Sequence, residues 1–141
     1  MRAIIVAVIT LLSGCSPDQP LDSAMQISGS YKVHTYVIDG DTLMAPGGRN
    51  KTSYQNFTME VSRVAPDKVA VIYVSGNLGK CGSGPGNIGV ERQGDRFMLT
   101  SPTNTIAHDF GYADGKTLYT NGAGWDMKKN KDIRTVVIGT R

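Results

Sequence analysis

Histidine, cysteine and tryptophan are all scarce in this chain: two, two and one among 141 residues. His34, His108 and Cys81 are scattered, without the close ligand spacing of a zinc site, so no metal and no other cofactor is expected. Gly-X-Ser-X-Gly is absent, and neither histidine stands near a nucleophile signature. The chain therefore reads as non-catalytic, with His34 and His108 as ordinary strand residues. Net charge is also small, +3 for the whole chain. That excess is too weak for a nucleic-acid protein. No window has the periodicity of an amphipathic helix, and no apolar run approaches the roughly 20 residues of a membrane-spanning helix. Repeats at solenoid or propeller spacings are missing as well.

What is present begins at the amino terminus. Met1-Arg2 is followed by uncharged, mostly branched residues over 3–12, and Leu12-Ser13-Gly14-Cys15 closes the run. This is the three-part plan of a secretory signal, and its last four residues resemble the lipobox of bacterial lipoproteins. The resemblance implies that residues 1–14 are a signal peptide, that the Cys15 thiol receives a diacylglycerol, and that the new amine is acylated too. Two or more acyl chains hold a protein to a membrane for practical purposes permanently. Ser16, where an aspartate would favour the inner membrane, implies the outer membrane, with the domain facing the periplasm. An ordinary cleaved signal with an incidental Cys15 is the alternative.

Residues 15–27 are polar and proline-bearing at their start and read as a lipidated tether, reaching up to about 40 Å when extended. Residues 28–141 suit one domain with one core. Once Cys15 is lipidated, Cys81 has no partner within the chain, so the fold must stand on its core. An unpaired Cys81 in an oxidising compartment would permit a covalent dimer.

Strand signals fill the rest. Residues 31–38 are β-branched and aromatic and end at Asp39-Gly40, a turn dipeptide. Phe57, Met59 and Val61 alternate with Thr58, Glu60 and Ser62, and Ala65-Pro66-Asp67 turns the chain into 69–74. Residues 88–92 and 96–100 flank Gly94-Asp95, 106–112 and 117–120 flank Asp114-Gly115, and 133–138 form a last strand. This succession predicts an eight-stranded antiparallel up-and-down β-barrel, with a two-sheet β-sandwich as the alternative. Tight connections at Pro66, Gly94 and Gly115 alternate with long ones at 39–55, 76–87 and 121–131. In a meander the long loops then share one end, the expected working face, and the tether leaves from the other.

In outline this barrel resembles the lipocalin and wider calycin group of ligand-binding proteins. Gly29-Ser30-Tyr31 stands where that family has Gly-X-Trp, with tyrosine in place of tryptophan. Its packing arginine corresponds to Arg134 or Arg141, and its usual helix after the barrel has no counterpart before Arg141.

Other motifs read more plainly. Gly84, Gly86 and Gly89 spell Gly-X-Gly-X-X-Gly, but Pro85 interrupts it and a strand follows, so a flexible loop is expected rather than a nucleotide cradle. Asp39-Gly40-Asp41 lacks the further oxygen ligands of a calcium loop and is a turn. The long loops carry Arg49, Lys51, Lys80, Lys128, Lys129 and Lys131 against Asp41 and Asp126, while Asp67, Asp95 and Asp114 face Lys68 and Lys116 at the other end. A basic rim beside Tyr54 and Trp125 is thus the expected binding surface, made of Arg49, Lys51, Tyr54, Lys80, Trp125, Lys128 and Lys129. Its expected partner is a small anionic or amphiphilic ligand held partly inside. The alternative is an envelope protein, docked by an inhibitor or assembly lipoprotein through the same loops. Phe57, Met59, Tyr73, Met98, Phe110 and Tyr119 are candidates to fill the barrel: a filled axis favours the protein partner, an open apolar cavity the ligand.

Overall fold

A computed structural model of the chain describes residues 21–102, 109–126 and 129–141. A short helix α1 (Ser23–Ile27) precedes eleven strands: β1 (Gly29–Ile38), β2 (Asp41–Ala45), β3 (Arg49–Asn50), β4 (Thr58–Ala65), β5 (Lys68–Ser75), β6 (Gly79–Ser83), β7 (Ile88–Gln93), β8 (Arg96–Thr100), β9 (Asp109–Ala113), β10 (Thr117–Asp126) and β11 (Lys131–Thr140). Strands β1, β4, β5, β7, β8, β9, β10 and β11 pair in that order, all antiparallel. The last returns to the first, from Lys32 opposite Thr140 to Ile38 opposite Thr135. Closure makes this an eight-stranded up-and-down barrel, not a sandwich.

Local chemistry sets the turns. Asp39 and Gly40 both have positive φ, 49° and 84°, as a type I′ hairpin requires, and they turn β1 into β2. At the opposite end the Asp114 carboxylate accepts hydrogen bonds from the amides of Lys116 (3.1 Å) and Thr117 (2.8 Å), fixing the β9–β10 turn. The long connections are more ordered than their composition predicts. The first contains the β2–β3 hairpin and the third contains β6 paired on β5. The expected long loop over 121–131 is instead the far end of a ladder that pairs β10 with β11 out to Asp126 and Lys131.

The tight-turn end is closed by α1. Asp22 caps it by accepting from the Met25 amide (2.8 Å), and the Ala24 amide donates to the Pro66 carbonyl (3.1 Å). Ala24 and Ile27 are fully buried. The buried Tyr31 hydroxyl donates to the Ile27 carbonyl (2.8 Å), and the Arg141 guanidinium lies over the Tyr31 ring and donates to the Ser28 carbonyl (2.8 Å). Residues 23–27, read as the end of the tether, form this docked helix. Five residues are too few to show a helical period, and so short a helix exists only through its docking. Of the two candidate packing arginines, Arg141 covers Tyr31.

Inside, Val69, Val71, Phe97, Leu99, Leu118 and Thr120 point to the axis by strand alternation. Met59 and Phe110 join them, and Phe57 is buried above. Met98 and Tyr119, expected inside, take the outward positions between these inner residues. There Met98, Tyr112 and Tyr119 lie side by side, the two rings stacked at 5.2 Å and Arg96 4.8 Å above Tyr112.

Candidate ligand-binding site at the barrel mouth

Above this core lies a cavity of about 210 Å³ lined chiefly by Tyr36, Tyr54, Phe57, Tyr73 and Cys81. Its rings form one cluster. Centroids are 4.7 Å apart for Tyr54 and Phe57, 5.6 Å for Tyr36 and Phe57, and 6.3 Å for Phe57 and Tyr73. These are the tilted separations at which aromatic pairs attract.

Each ring is placed by a specific device. Tyr31 and Val33 face inward on β1, and simple alternation would continue with Thr35. A register shift between Val33 and Thr35 changes the phase, so Tyr36 points into the barrel opposite Val137. Tyr54 sits in a connection braced at both ends. The Asn50 side chain donates to its carbonyl (3.0 Å), and its amide donates to the Thr52 hydroxyl (3.1 Å). The next residue is clamped to the β5 end: the Gln55 amide donates to Asn77 Oδ1 (3.0 Å) and Ser75 Oγ (3.1 Å), and the Asn77 amide group donates to the Ser53 carbonyl (2.8 Å). Tyr73 is anchored through its hydroxyl to Thr120 Oγ1 (3.1 Å).

Two glycines beside β5 leave room for rings. A Cβ on Gly82 would meet the Tyr73 ring at 3.4 Å, and one on Gly84 would strike Phe110 Cζ at 2.8 Å. Of the glycines expected in a flexible loop, Gly84 and Gly86 lie in the connection between β6 and β7. Gly89 belongs to β7 and faces Thr100, where a Cβ would lie 2.6 Å from Oγ1.

Among the described residues that line the cavity, none is an acid or a base of the ordinary charged kinds. Burial, helped by the neighbouring Tyr54, Cys81 and Tyr73, pushes the Tyr36 hydroxyl up to about 12, and burial raises Tyr73 and Tyr54 as well. The Cys81 thiol is unpaired with another cysteine, donates to the Tyr73 carbonyl (3.4 Å), and is pushed up by burial. A thiol so held is less available as thiolate. His34 lines a different space, an outer groove beside Lys32 and Arg49, and its Nδ1 lies 2.9 Å from Thr35 Oγ1. His108 lies outside the described residues.

Of the expected binding residues, Tyr54 is in the cavity wall. Arg49 and Lys80 are exposed on β3 and β6 and do not line it. Lys51 pairs with Asp41 at 3.2 Å, and Lys131 pairs with Asp39. Lys129 is exposed in the β10–β11 turn. The Trp125 backbone pairs with Asp132, while its side chain and all of Lys128 lie outside the described residues. The expected charge asymmetry also shrinks. Asp39 adds a carboxylate to the mouth, and Arg63, Arg92, Arg96 and Arg141 gather at the turn end, Arg63 pairing with Asp22 at 2.9 Å.

Sequence reading passed over Tyr36 and Cys81 as site residues. The signal for Tyr36 is the run of tyrosines at 31 and 36, whose odd separation only a bulge reconciles with one face. Compared with protein-family models, with curated proteins and with solved structures, the chain matches none.

Proposed function

We propose that the protein is a lipoprotein anchored to the outer membrane through Cys15, facing the periplasm, whose barrel binds a small amphiphilic ligand at its mouth without catalysis. The observation that carries this reading is the division of the interior. The lower half is packed and floored by α1, while the upper half encloses an aromatic space of about 210 Å³. The site is concave and combines four aromatic rings with the polar groups of Ser83, Cys81 and Thr135, so a small molecule can find both apolar and hydrogen-bonding contact there. An engineered apolar cavity of about 150 Å³ already takes up benzene. The rim offers less to an envelope-protein partner or to an anion, because Lys51 and Lys131 are matched by Asp41 and Asp39.

A lipocalin-like ancestry is supported by Gly29-Ser30-Tyr31 entering β1 with Arg141 stacked on its ring. The anchor is supported by the lipobox alone. With the chain entering at the α1 floor, residues 15–20, spanning about 20 Å when extended, would hold that end toward the membrane and leave the mouth free.

The test is to purify the protein from its native envelope, extract it with organic solvent and search the extract by mass spectrometry for a molecule present at one per chain. Such a molecule should also raise the melting temperature of the stripped protein. An empty extract, together with no thermal shift from envelope lipid extracts, rejects the carrier reading. Intact-mass measurement of the same material reports the lipid on Cys15, which Cys15→Ser should remove.

A further inference from the structure

We infer that the mouth cavity selects an uncharged molecule built on a single aromatic ring, in preference to a fatty acid or another anion. This rests on the ligand-binding reading above and names the ligand class for that site.

Three independent features lead there. The first is depth. The Tyr73 hydroxyl reaches Thr120, whose own hydroxyl lies 3.8 Å from Met59 Sδ, and both Thr120 and Met59 are fully buried. The space ends at this layer. At about 210 Å³ it falls below the roughly 300 Å³ at which sites for larger ligands begin, so a long acyl chain has nowhere to descend.

The second feature is shape. Four rings, those of Tyr36, Tyr54, Phe57 and Tyr73, stand mutually tilted by 32° to 58° around Phe57. Gly82, the β6 partner of Tyr73, lines the same cavity without a side chain, and the Tyr73 ring lies against it. A further ring entering the cavity meets edges and faces together, the arrangement that aromatic groups prefer.

The third is polarity. Among the described residues no cationic side chain lines the cavity to receive a carboxylate or phosphate, and an unpaired charge taken from water into such a site is strongly disfavoured. Hydrogen-bonding capacity is nevertheless present. Among the described residues the hydroxyls of Tyr36 and Tyr54 have no hydrogen-bond partner, whereas that of Tyr73 is committed to Thr120. Two phenol groups in an aromatic cavity suit a ring that carries a neutral hydroxyl or carbonyl.

The test compares three probes against the purified, unlipidated domain at neutral pH: p-cresol, the single-ring anion 4-methylbenzoate, and laurate. Binding is followed by calorimetry and by shifts of the tyrosine ring resonances in NMR. The expected result is saturable one-to-one binding of p-cresol, at least tenfold tighter than 4-methylbenzoate, and no saturable binding of laurate. Gly82→Leu, at a position without a left-handed φ, should project a side chain into the cavity and weaken p-cresol at least tenfold while the melting transition survives. Thr135→Leu approaches the cavity from β11 and serves if the first variant does not fold. Equal or tighter binding of 4-methylbenzoate or laurate overturns the neutral-ring inference and leaves the carrier reading standing. So does undiminished p-cresol binding in the filled variants. Failure of all three probes overturns the inference too, and the carrier reading falls with it only if the envelope-purified protein also yields no bound molecule.

Discussion

The Arg141 guanidinium lies 4.7 Å above the centre of the Tyr31 ring, so a residue just past the final strand covers a fully buried ring of the first. The same guanidinium donates to the carbonyl of Ser28 (2.8 Å), and Tyr31 donates to that of Ile27 (2.8 Å). Two side chains thereby join the barrel seam, β1 and the floor helix. Arg141→Ala should lower stability by about 2–4 kcal/mol, the sum expected for a cation–π contact and a hydrogen bond from a charged donor. Arg141→Lys should recover only part of this, because an ammonium lacks the planar fork that spans ring and carbonyl. Denaturant midpoints compared at constant m-value give the measurement. Equal stability of all three proteins would show that the contact contributes nothing.

The floor itself gives a second prediction. Ile27 is fully buried, and Ile27→Ala should cost about 2–5 kcal/mol through lost burial and the cavity left behind. Removal of residues 1–20 should leave the unfolding transition unchanged, whereas removal through residue 28 should lower it sharply. If both truncations melt alike, the folded unit begins at β1 and α1 is dispensable.

The barrel was largely legible in the sequence because its strands advertise themselves. Val69 to Val74 and Phe57 to Ser62 carry the right residues in the right alternation, and Asp39-Gly40, Gly94-Asp95 and Asp114-Gly115 mark turns that the structure contains. The site was less legible, for three physical reasons. A bulge at Val33/Thr35 shifts the phase of β1, so no period-two reading places Tyr36 inside. Inward and outward faces of β8 and β10 carry equally apolar residues, so Met98 and Tyr119 look as fit for the interior as Phe97 and Leu118. Finally, the basic loops have neighbours that linear order hides: Lys51 meets Asp41 and Lys131 meets Asp39 only after folding.

Glycine positions separate sharply by what surrounds them. Gly111 has φ +150°, and a Cβ there would collide with the Tyr119 carbonyl oxygen, across a β9–β10 ladder that has no room to part. Gly111→Ala should destabilise by more than about 4 kcal/mol, in the range reserved for backbone strain combined with overpacking. A Cβ added at Gly86 would meet nothing within 4 Å, and Gly86 has no left-handed φ, so Gly86→Ala should stay within about 0.5 kcal/mol of the parent. Thermal melts of the two variants provide the comparison, and similar losses in both would mean that β9 does not approach β10 so closely.

The tyrosines at the mouth predict an alkaline transition. Burial holds Tyr36 neutral up to about 12 in the folded barrel, against an ordinary value of 10.0, and it raises Tyr73 and Tyr54 in the same direction. A raised folded value means that the neutral phenol is favoured by folding. The associated stability is fully present below pH 10 and disappears as pH climbs through about 12. Tyrosinate absorbance should therefore show a late fraction that appears together with loss of near-ultraviolet circular dichroism, since ionising these hydroxyls places charge among rings with no cation among the described residues that line the cavity. Tyr36→Phe should remove part of the late fraction and move the unfolding midpoint to higher pH. A bound neutral ring, by excluding water from the cavity, should delay the transition further. If Tyr36→Phe leaves both the absorbance curve and the unfolding midpoint unchanged, the Tyr36 hydroxyl is in contact with bulk water and the cavity is not an enclosed aromatic space.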